Sequence, residues 1–174
     1  MKRATLYFVL GIVCFYLDTL FTLISPIHIW GEHFTFVPRL TIMFILLITF
    51  YKNLYTAIIL GILLGLMTDI YFGEIYGVYL ISYLLCILIA QKFFSLFYRD
   101  HVIVFLIILL SVVMLDIIVA MMYSMVGLIQ FDFIQFIFFR VPTTLLLNGI
   151  FLIFMFAYLD HRQNKKRSID MKFK

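Results

Sequence analysis

Apolar side chains dominate this chain of 174 residues, which carries a formal net charge of +4. Hydrophobic residues make up 66% of it, and the mean hydropathy is +1.16. Because a soluble domain is only about half apolar, this composition excludes a water-soluble fold and indicates an integral membrane protein. We expect its basic residues to meet membrane lipids at the bilayer surface, and we expect no nucleic-acid partner.

Six apolar stretches follow one another and predict an all-α protein with six transmembrane helices. About 20 residues are needed to cross ~30 Å of hydrocarbon at a rise of about 1.5 Å per residue. The predicted helices cover Leu6–Ser25, Phe36–Tyr51, Leu54–Tyr71, Tyr76–Phe94, Val102–Ile129 and Phe136–Leu159. No connection between them is long enough to fold alone. We therefore expect one six-helix transmembrane domain over residues 1–160, followed by a basic cytoplasmic tail over 161–174.

The basic residues fall in alternate connections, which predicts the orientation of the chain. Eleven of the thirteen lysines and arginines share one set of gaps and the two termini, and the other set holds only Arg39 and Arg140. Positive residues near membrane spans stay on the cytoplasmic side. We therefore expect both termini in the cytoplasm. The cytoplasmic set is Lys2, Arg3, Lys52, Lys92, Arg99, Arg162, Lys165, Lys166, Arg167, Lys172 and Lys174.

Three carboxylates lie inside the apolar stretches, where a bilayer tolerates few charges. A charge deep in a span costs at least ~2.5–3.5 kcal/mol on insertion scales, so each one needs a partner. In the predicted topology Asp18 and Asp69 lie in the outer half of the membrane, and Asp116 lies near its middle. Arg39 and Arg140 lie at the outer ends of their helices. We therefore expect these five residues to form a buried ion-pair cluster on the outer side.

Small and polar residues recur at helical spacing beside each of these charges. Ala57, Gly61 and Gly65 form a stripe on the third helix, and small residues let helix backbones approach closely in a membrane. Arg140 and Asn148 belong to a similar stripe on the last helix, so Asn148 joins the predicted buried polar cluster. Comparable stripes follow the first helix (Gly11, Cys14, Asp18, Thr22 and Ser25) and the fifth (Asp116, Ala120, Tyr123 and Gly127). The stripes predict that the costly residues face protein in a closely packed bundle.

Three roles are compatible with the buried charges: structural ion pairing, a path for a substrate or a proton, and contact with a partner helix. The sequence has no Gly-x-Ser-x-Gly, no His-Glu-x-x-His and no Gly-rich phosphate loop, so we expect no catalytic site and no enzyme activity. His28 and His33 have only Glu32 nearby, which is too few ligands for a metal site. We expect neither a metal nor a cofactor.

Two segments resemble the rod shape-determining protein MreD family. The first is Gly61-Ile-Leu-Leu-Gly65-Leu-Met-Thr-Asp69-Ile-Tyr-Phe-Gly73-Glu-Ile-Tyr-Gly77-Val-Tyr79-Leu80. It is similar to the family's helix of spaced glycines, followed by an Asp and a Gly-x-x-x-Gly turn into the next helix, so we count Gly73 and Gly77 among the packing glycines. The second segment, Arg140-Val-Pro142-Thr-Thr144-Leu-Leu-Leu-Asn148, resembles part of the family's last helix.

The resemblance implies a non-catalytic scaffold of the cell-wall elongation machinery in the bacterial cell membrane, involved in cell shape and peptidoglycan synthesis. It also implies the partners: an MreC-like protein, wall polymerases and the actin-like MreB filament. A fold similar to the S components of energy-coupling factor transporters is implied as well, so a module that captures a vitamin from the outer face is the alternative. A lipid-handling protein would use the same polar stripes. Because the outer loops hold few hydrogen-bonding residues, we favour the scaffold.

Overall fold

The fold is a helical bundle with one short β-hairpin. The structure is a computed structural model that describes residues 2–24, 26–29, 32–35, 37–97, 101–128 and 136–172. Within these ranges the helices are α1 (Lys2–Ile24), α2 (Leu40–Tyr51), α3 (Leu54–Phe72), α4 (Val78–Leu96), α5 (His101–Met125) and α6 (Val141–Lys172). A π-helical turn, Phe136–Arg140, leads directly into α6. Between α1 and α2, strand β1 (Pro26–Ile29) pairs antiparallel with β2 (Glu32–Thr35).

Five of the helices in the described ranges are long and apolar enough to cross a membrane, which makes this an all-α multi-pass membrane protein. They are α1, α3, α4, α5 and the stretch from the π-helical turn into α6. The predicted second span differs. Helix α2 begins at Leu40 and not at Phe36, and its 12 residues extend only about 18 Å. The residue before a proline is disfavoured in a helix, so Val37 and Pro38 delay the start of α2.

Helix α2 lies at the centre of the bundle. Nine of its twelve residues are buried, and it contacts each of the other five helices of the described chain. A helix that is apolar all round is stable only when protein or lipid surrounds it completely. The first turn of α2, Leu40–Met43, is buried as well, so it lies among the other helices and away from bulk water.

Helices α3 and α4 form an antiparallel pair that is joined by a five-residue turn. A Cβ atom added to Gly65 would lie 2.9 Å from the backbone Cα of Leu80, so the two backbones approach each other closely there. At Gly61 the added atom would meet only the end of the Ile87 side chain, at 2.6 Å. The stripe predicted on α3 thus lies against α4, and Ala57 on the same helix is fully buried.

Gly73 and Gly77 shape this turn and do not pack one helix against another, which corrects the sequence-based expectation. Gly77 has a φ of +99°, in the left-handed region that favours glycine, and a Cβ there would meet nothing within 4 Å. A Cβ at Gly73 would lie 2.5 Å from the carbonyl oxygen of Asp69 on its own chain. Both glycines therefore serve the return of the chain into α4.

The last helix is longer than predicted. We expected it to end at Leu159, but the backbone of α6 stays helical to Lys172. Residues 160–172 contain no glycine or proline and several lysines and arginines, which are good helix formers. The predicted boundary between residues 160 and 161 therefore falls inside a continuous helix, and the basic side chains beyond it lie outside the described residues.

Candidate functional site

The buried polar residues gather at one end of the bundle, where α1 and α3 end and α2, α4 and α6 begin. We call this the polar end. One carboxylate comes from each of three helices: Asp18 from α1, Asp69 from α3 and Asp116 from α5, and their exposed fractions are 8%, 0% and 3%. Arg39 lies just before α2, and Arg140 is the last residue of the π-helical turn.

Asp18 caps the first turn of α2 from a neighbouring helix. Its Oδ1 accepts the backbone N–H of Leu40 at 2.7 Å, and its Oδ2 accepts the N–H of Thr41 at 2.9 Å. The hydroxyl of Thr41 donates to the same Oδ2 at 2.6 Å. The first N–H groups of a helix have no partner within the helix, and they carry its positive dipole end. A carboxylate thus satisfies both needs at a buried helix start.

Asp69 does the same for α4. Its Oδ1 accepts the N–H of Tyr79 at 2.8 Å, and its Oδ2 accepts the N–H of Leu80 at 3.0 Å. The backbone carbonyl of Asp69 also accepts the N–H of Gly73 at 2.9 Å, which closes the end of α3. One residue therefore ends one helix and begins the next.

These two caps correct the ion pairing expected from the sequence. Among the described residues neither Asp18 nor Asp69 forms a salt bridge with Arg39 or Arg140. The reason is local geometry: each carboxylate lies beside the first N–H groups of a helix, which compensate its charge at hydrogen-bond distance.

Asp116 is the carboxylate that pairs with the arginines. Its Oδ1 accepts hydrogen bonds from Nη2 of Arg39 at 2.8 Å and from Nε of Arg39 at 3.1 Å. Nε of Arg140 lies 3.9 Å from the other oxygen, Oδ2. The guanidinium carbon of Arg39 also lies 5.5 Å from the centre of the Tyr79 ring. A cation–π contact and a nearly buried ion pair therefore hold Arg39 between α4 and α5.

Three buried polar atoms beside this pair have no hydrogen-bond partner in the described part of the chain. They are Oδ2 of Asp116, Nε of Arg140 and Oγ1 of Thr144. The Arg140 side chain is 39% exposed, whereas that of Arg39 is 11% exposed. The two arginines thus differ: Arg39 is hydrogen-bonded to Asp116, whereas Nε of Arg140 lies beyond hydrogen-bond distance from it.

Asn148 joins α6 to the start of α2. Its Oδ1 accepts the backbone N–H of Arg39 at 2.8 Å, and its Nδ2 donates to the carbonyl groups of Val37 and Thr144. Asn148 is fully buried. Asn148 of α6 therefore bonds the backbone of the segment that leads into α2, whereas Asp18 of α1 bonds the first turn of α2 itself.

The π-helical turn explains the Arg-x-Pro pattern. Pro142 lacks the N–H that a regular helix would donate to the residue four positions earlier. The wider π-helical turn lies directly before it, and single π-helical turns are frequent at functional sites. Arg140 ends this turn with its guanidinium carbon 5.8 Å from the centre of the Phe136 ring.

A cavity of about 150 Å³ opens among these residues. Side chains from four helices and both arginines line it, among them Asp18, Thr22, Arg39, Thr68, Tyr79 and Arg140. In the part of the chain that the structure describes, no group of three or more His, Cys, Asp or Glu side chains could hold a metal. The site combines guanidinium, hydroxyl and aromatic groups and suits the binding of a small polar group.

Sequence reasoning missed two contributors to the site, Thr41 and Tyr79. Thr41 donates its hydroxyl to Asp18, and Tyr79 lies under the guanidinium of Arg39. A signal was present for Tyr79, because it recurs with Tyr83, Cys86 and Ala90 at helical spacing on the buried face of α4. No comparable signal marks Thr41, whose role depends on where α2 begins.

The comparisons with known proteins agree with the resemblance drawn from the two motifs. The family model of the rod shape-determining protein MreD matches residues 2–161, nearly the whole chain. The match includes both motif segments and every residue of the polar end. The searches of curated proteins and of solved structures each found no match.

Proposed function

Because the chain belongs to the rod shape-determining protein MreD family, we propose that it is a non-catalytic membrane scaffold of the bacterial cell-wall elongation machinery. Its place would be the bacterial cell membrane, with both termini in the cytoplasm and the polar end facing outward. Residues of the family pattern, Gly65, Asp69, Gly73 and Gly77, all contribute to the close packing of α3 on α4 or to its turn. The residues of the family signature thus have structural roles in this chain, which supports the proposal of a scaffold.

The single observation that carries the scaffold proposal is that two of the three buried carboxylates, those of Asp18 and Asp69, have both oxygens hydrogen-bonded to backbone N–H groups. Both carboxylate oxygens of Asp18 accept backbone N–H groups of α2, and both oxygens of Asp69 accept backbone N–H groups of α4. A carboxylate that acts as a proton carrier or as a nucleophile needs a free oxygen near its substrate. Because both oxygens of each carboxylate are hydrogen-bonded, these two groups favour a structural role over a catalytic or proton-carrying one.

The lipid-facing surfaces of α1 and α6 provide the area where partner helices would dock. Only 22% of the α1 span and 24% of the α6 span are buried, against 39–44% for α3, α4 and α5. Large apolar side chains such as Leu20 on α1 and Ile153 on α6 are more than half exposed. We propose that the single span of an MreC-like protein packs here, with wall polymerases beside it and MreB on the cytoplasmic side.

Photo-crosslinking in living bacteria tests this arrangement. A crosslinking amino acid would be placed at Leu20, Ile153 and, as a matched lipid-facing control, at Leu110 on α5, which is 67% exposed. The scaffold proposal expects adducts with wall-synthesis proteins from α1 or α6, identified by mass spectrometry. Adducts with an ATPase coupling subunit, or lipid adducts alone at all three positions, would contradict it.

A vitamin-binding S component is the second candidate, because a polar cavity does open at the end that we propose faces outward. Its size argues against a vitamin. Small-molecule sites usually enclose roughly 300–1,000 Å³, whereas this cavity measures about 150 Å³. Thermal unfolding of the purified protein across a vitamin panel separates the two functions, since a ligand at a hundredfold excess over its Kd stabilises by about 2.7 kcal/mol. The scaffold proposal expects no such shift with any vitamin.

A further inference from the structure

Arg140 has unused hydrogen-bonding capacity. A guanidinium carries five N–H donors, and the buried Nε of Arg140 has no hydrogen-bond partner within the described residues. Its nearest carboxylate oxygen, Oδ2 of Asp116, lies at 3.9 Å, which is too long for a hydrogen bond. The side chain is partly exposed and forms part of the cavity wall. A group with acceptor oxygens in the cavity would satisfy these donors.

The local distribution of charge favours an anion beside Arg140. Asp18 lies on the same wall, but both of its oxygens are bonded to the start of α2, whose dipole offsets about half a charge. Asp116 is one carboxylate between two guanidiniums, and its short contacts all go to Arg39. Within the described ranges, Arg140 is therefore the arginine of the polar end that has no carboxylate at hydrogen-bond distance.

The size and position of the cavity limit what that anion can be. A volume of about 150 Å³ is well below the roughly 300–1,000 Å³ of usual small-molecule sites. That space suits one phosphate group better than a larger solute. The planar fork of an arginine matches phosphate oxygens, and basic pockets between transmembrane helices bind lipid headgroups. Arg140 lies where α6 begins, at the end of the bundle that faces outward in the proposed orientation.

We propose that this cavity binds a single phosphodiester or phosphate group, with Arg140 as its principal donor and Arg39 and Tyr79 as part of the wall around it. The group can arrive as the headgroup of a membrane lipid or as a free ion, and the chemistry of recognition is the same. The proposal is independent of the scaffold function, since it depends only on the cavity and on the unpartnered Nε of Arg140 in the described part of the chain.

Binding would be measured on the delipidated full chain in detergent, by thermal unfolding and by native mass spectrometry. The probes are phosphatidylglycerol, a diacylglycerol that lacks the phosphate, and inorganic phosphate. We expect saturable binding of phosphatidylglycerol and none of diacylglycerol. Saturable, Arg140-dependent binding of inorganic phosphate would identify a free ion as a second source. Absence of binding by both phosphate probes would overturn the proposal.

Three variants show whether the binding occurs at this site. Arg140→Gln should weaken the binding of phosphatidylglycerol at least tenfold. Arg140→Lys should weaken this binding less, because the charge remains while the planar fork is lost. Val37→Phe keeps Arg140 but fills the cavity that Val37 lines, so it should also abolish binding. Lys52→Gln, an exposed change at the other end of α2, should bind like the unaltered protein. If Arg140→Gln does not fold, normal binding by Arg140→Lys and Val37→Phe together would equally refute the site.

Discussion

The carboxylate of Asp18 accepts the backbone N–H of Leu40 at 2.7 Å, so a residue of α1 caps the first turn of α2. Asp69 caps α4 in the same way, from the end of α3. In water, solvent would satisfy such N–H groups, but in a bilayer each of them must find a partner within the protein. The two aspartates therefore allow the short helix α2 and the turn into α4 to begin inside the bundle.

Removing the Asp18 cap should destabilise the protein strongly. Asp18→Ala leaves two backbone N–H groups and the Thr41 hydroxyl without their acceptor. Each buried donor that loses its partner costs about 1–3 kcal/mol. Thermal unfolding in detergent should show a large loss for this variant. Glu74→Ala removes an exposed carboxylate from the turn before α4 and provides the control. Similar losses for both variants would show that the cap contributes little.

Arg39 should matter more to stability than Arg140. Arg39 makes two hydrogen bonds to Asp116 and is nearly buried, so Arg39→Ala should cost ~3–5 kcal/mol, as for a broken buried pair. Arg140 is more exposed and 3.9 Å from its carboxylate, so Arg140→Ala should cost about 1 kcal/mol or less. Lys92→Ala, an exposed change near the end of α4, should cost less than either. A larger loss at Arg140 than at Arg39 would reverse the roles assigned to the two arginines.

Gly65 should tolerate an added methyl group less well than Gly61. At Gly65 the new Cβ would meet the backbone of Leu80, which cannot move unless α3 and α4 separate. At Gly61 it would meet only the end of the Ile87 side chain, which can rotate away. We therefore expect Gly65→Ala to lower the amount of folded protein in membranes more than Gly61→Ala. Gly149→Ala on α6, where the nearest atom lies at 4.0 Å, is the matched control. Equal amounts of Gly61→Ala and Gly65→Ala would argue against close contact of the two backbones.

The orientation of the chain is a separate prediction, because it follows from the charge pattern alone. Reporter fusions after Asn53 and after Lys174 should report the cytoplasm, and a fusion at Glu74 should report the outer side. The physical reason is the retention of lysine and arginine on the cytoplasmic face. A cytoplasmic signal at Glu74 would place the polar end, and Arg140 with it, on the inner side of the membrane.

Much of the bundle follows from apolar periodicity, whereas the partners of its polar residues do not. Six helices and the burial of Asp18, Asp69 and Asn148 agree with the stripes of small and polar residues. Pairing by charge alone suggested arginine partners for the carboxylates, because a backbone N–H is present at every residue except proline and leaves no mark in the sequence. The start of α2 differs from the prediction for a related reason: Pro38 delays the helix, and a capping group 22 residues away makes the later start possible.

The start of α6 shows a second feature that the sequence alone does not predict. Arg140 and Pro142 are recognisable as a motif, but the π-helical turn that ends at Arg140 depends on the missing N–H of Pro142 and on the packing around it. The cavity is a further case. It forms where four helices fail to fill space completely, and helical spacing in one sequence does not predict a volume.

Cell shape is the measurement that tests the account most directly. If the chain acts in cell-wall elongation, its depletion from a rod-shaped bacterium that depends on it should shorten and widen the cells, as measured by the ratio of cell length to width. Re-expression of the unaltered chain or of Glu74→Ala should restore rods, while Asp18→Ala and Gly65→Leu should not restore them at matched membrane levels. Depleted cells that keep their length, width and rate of wall synthesis would contradict a role in the elongation machinery.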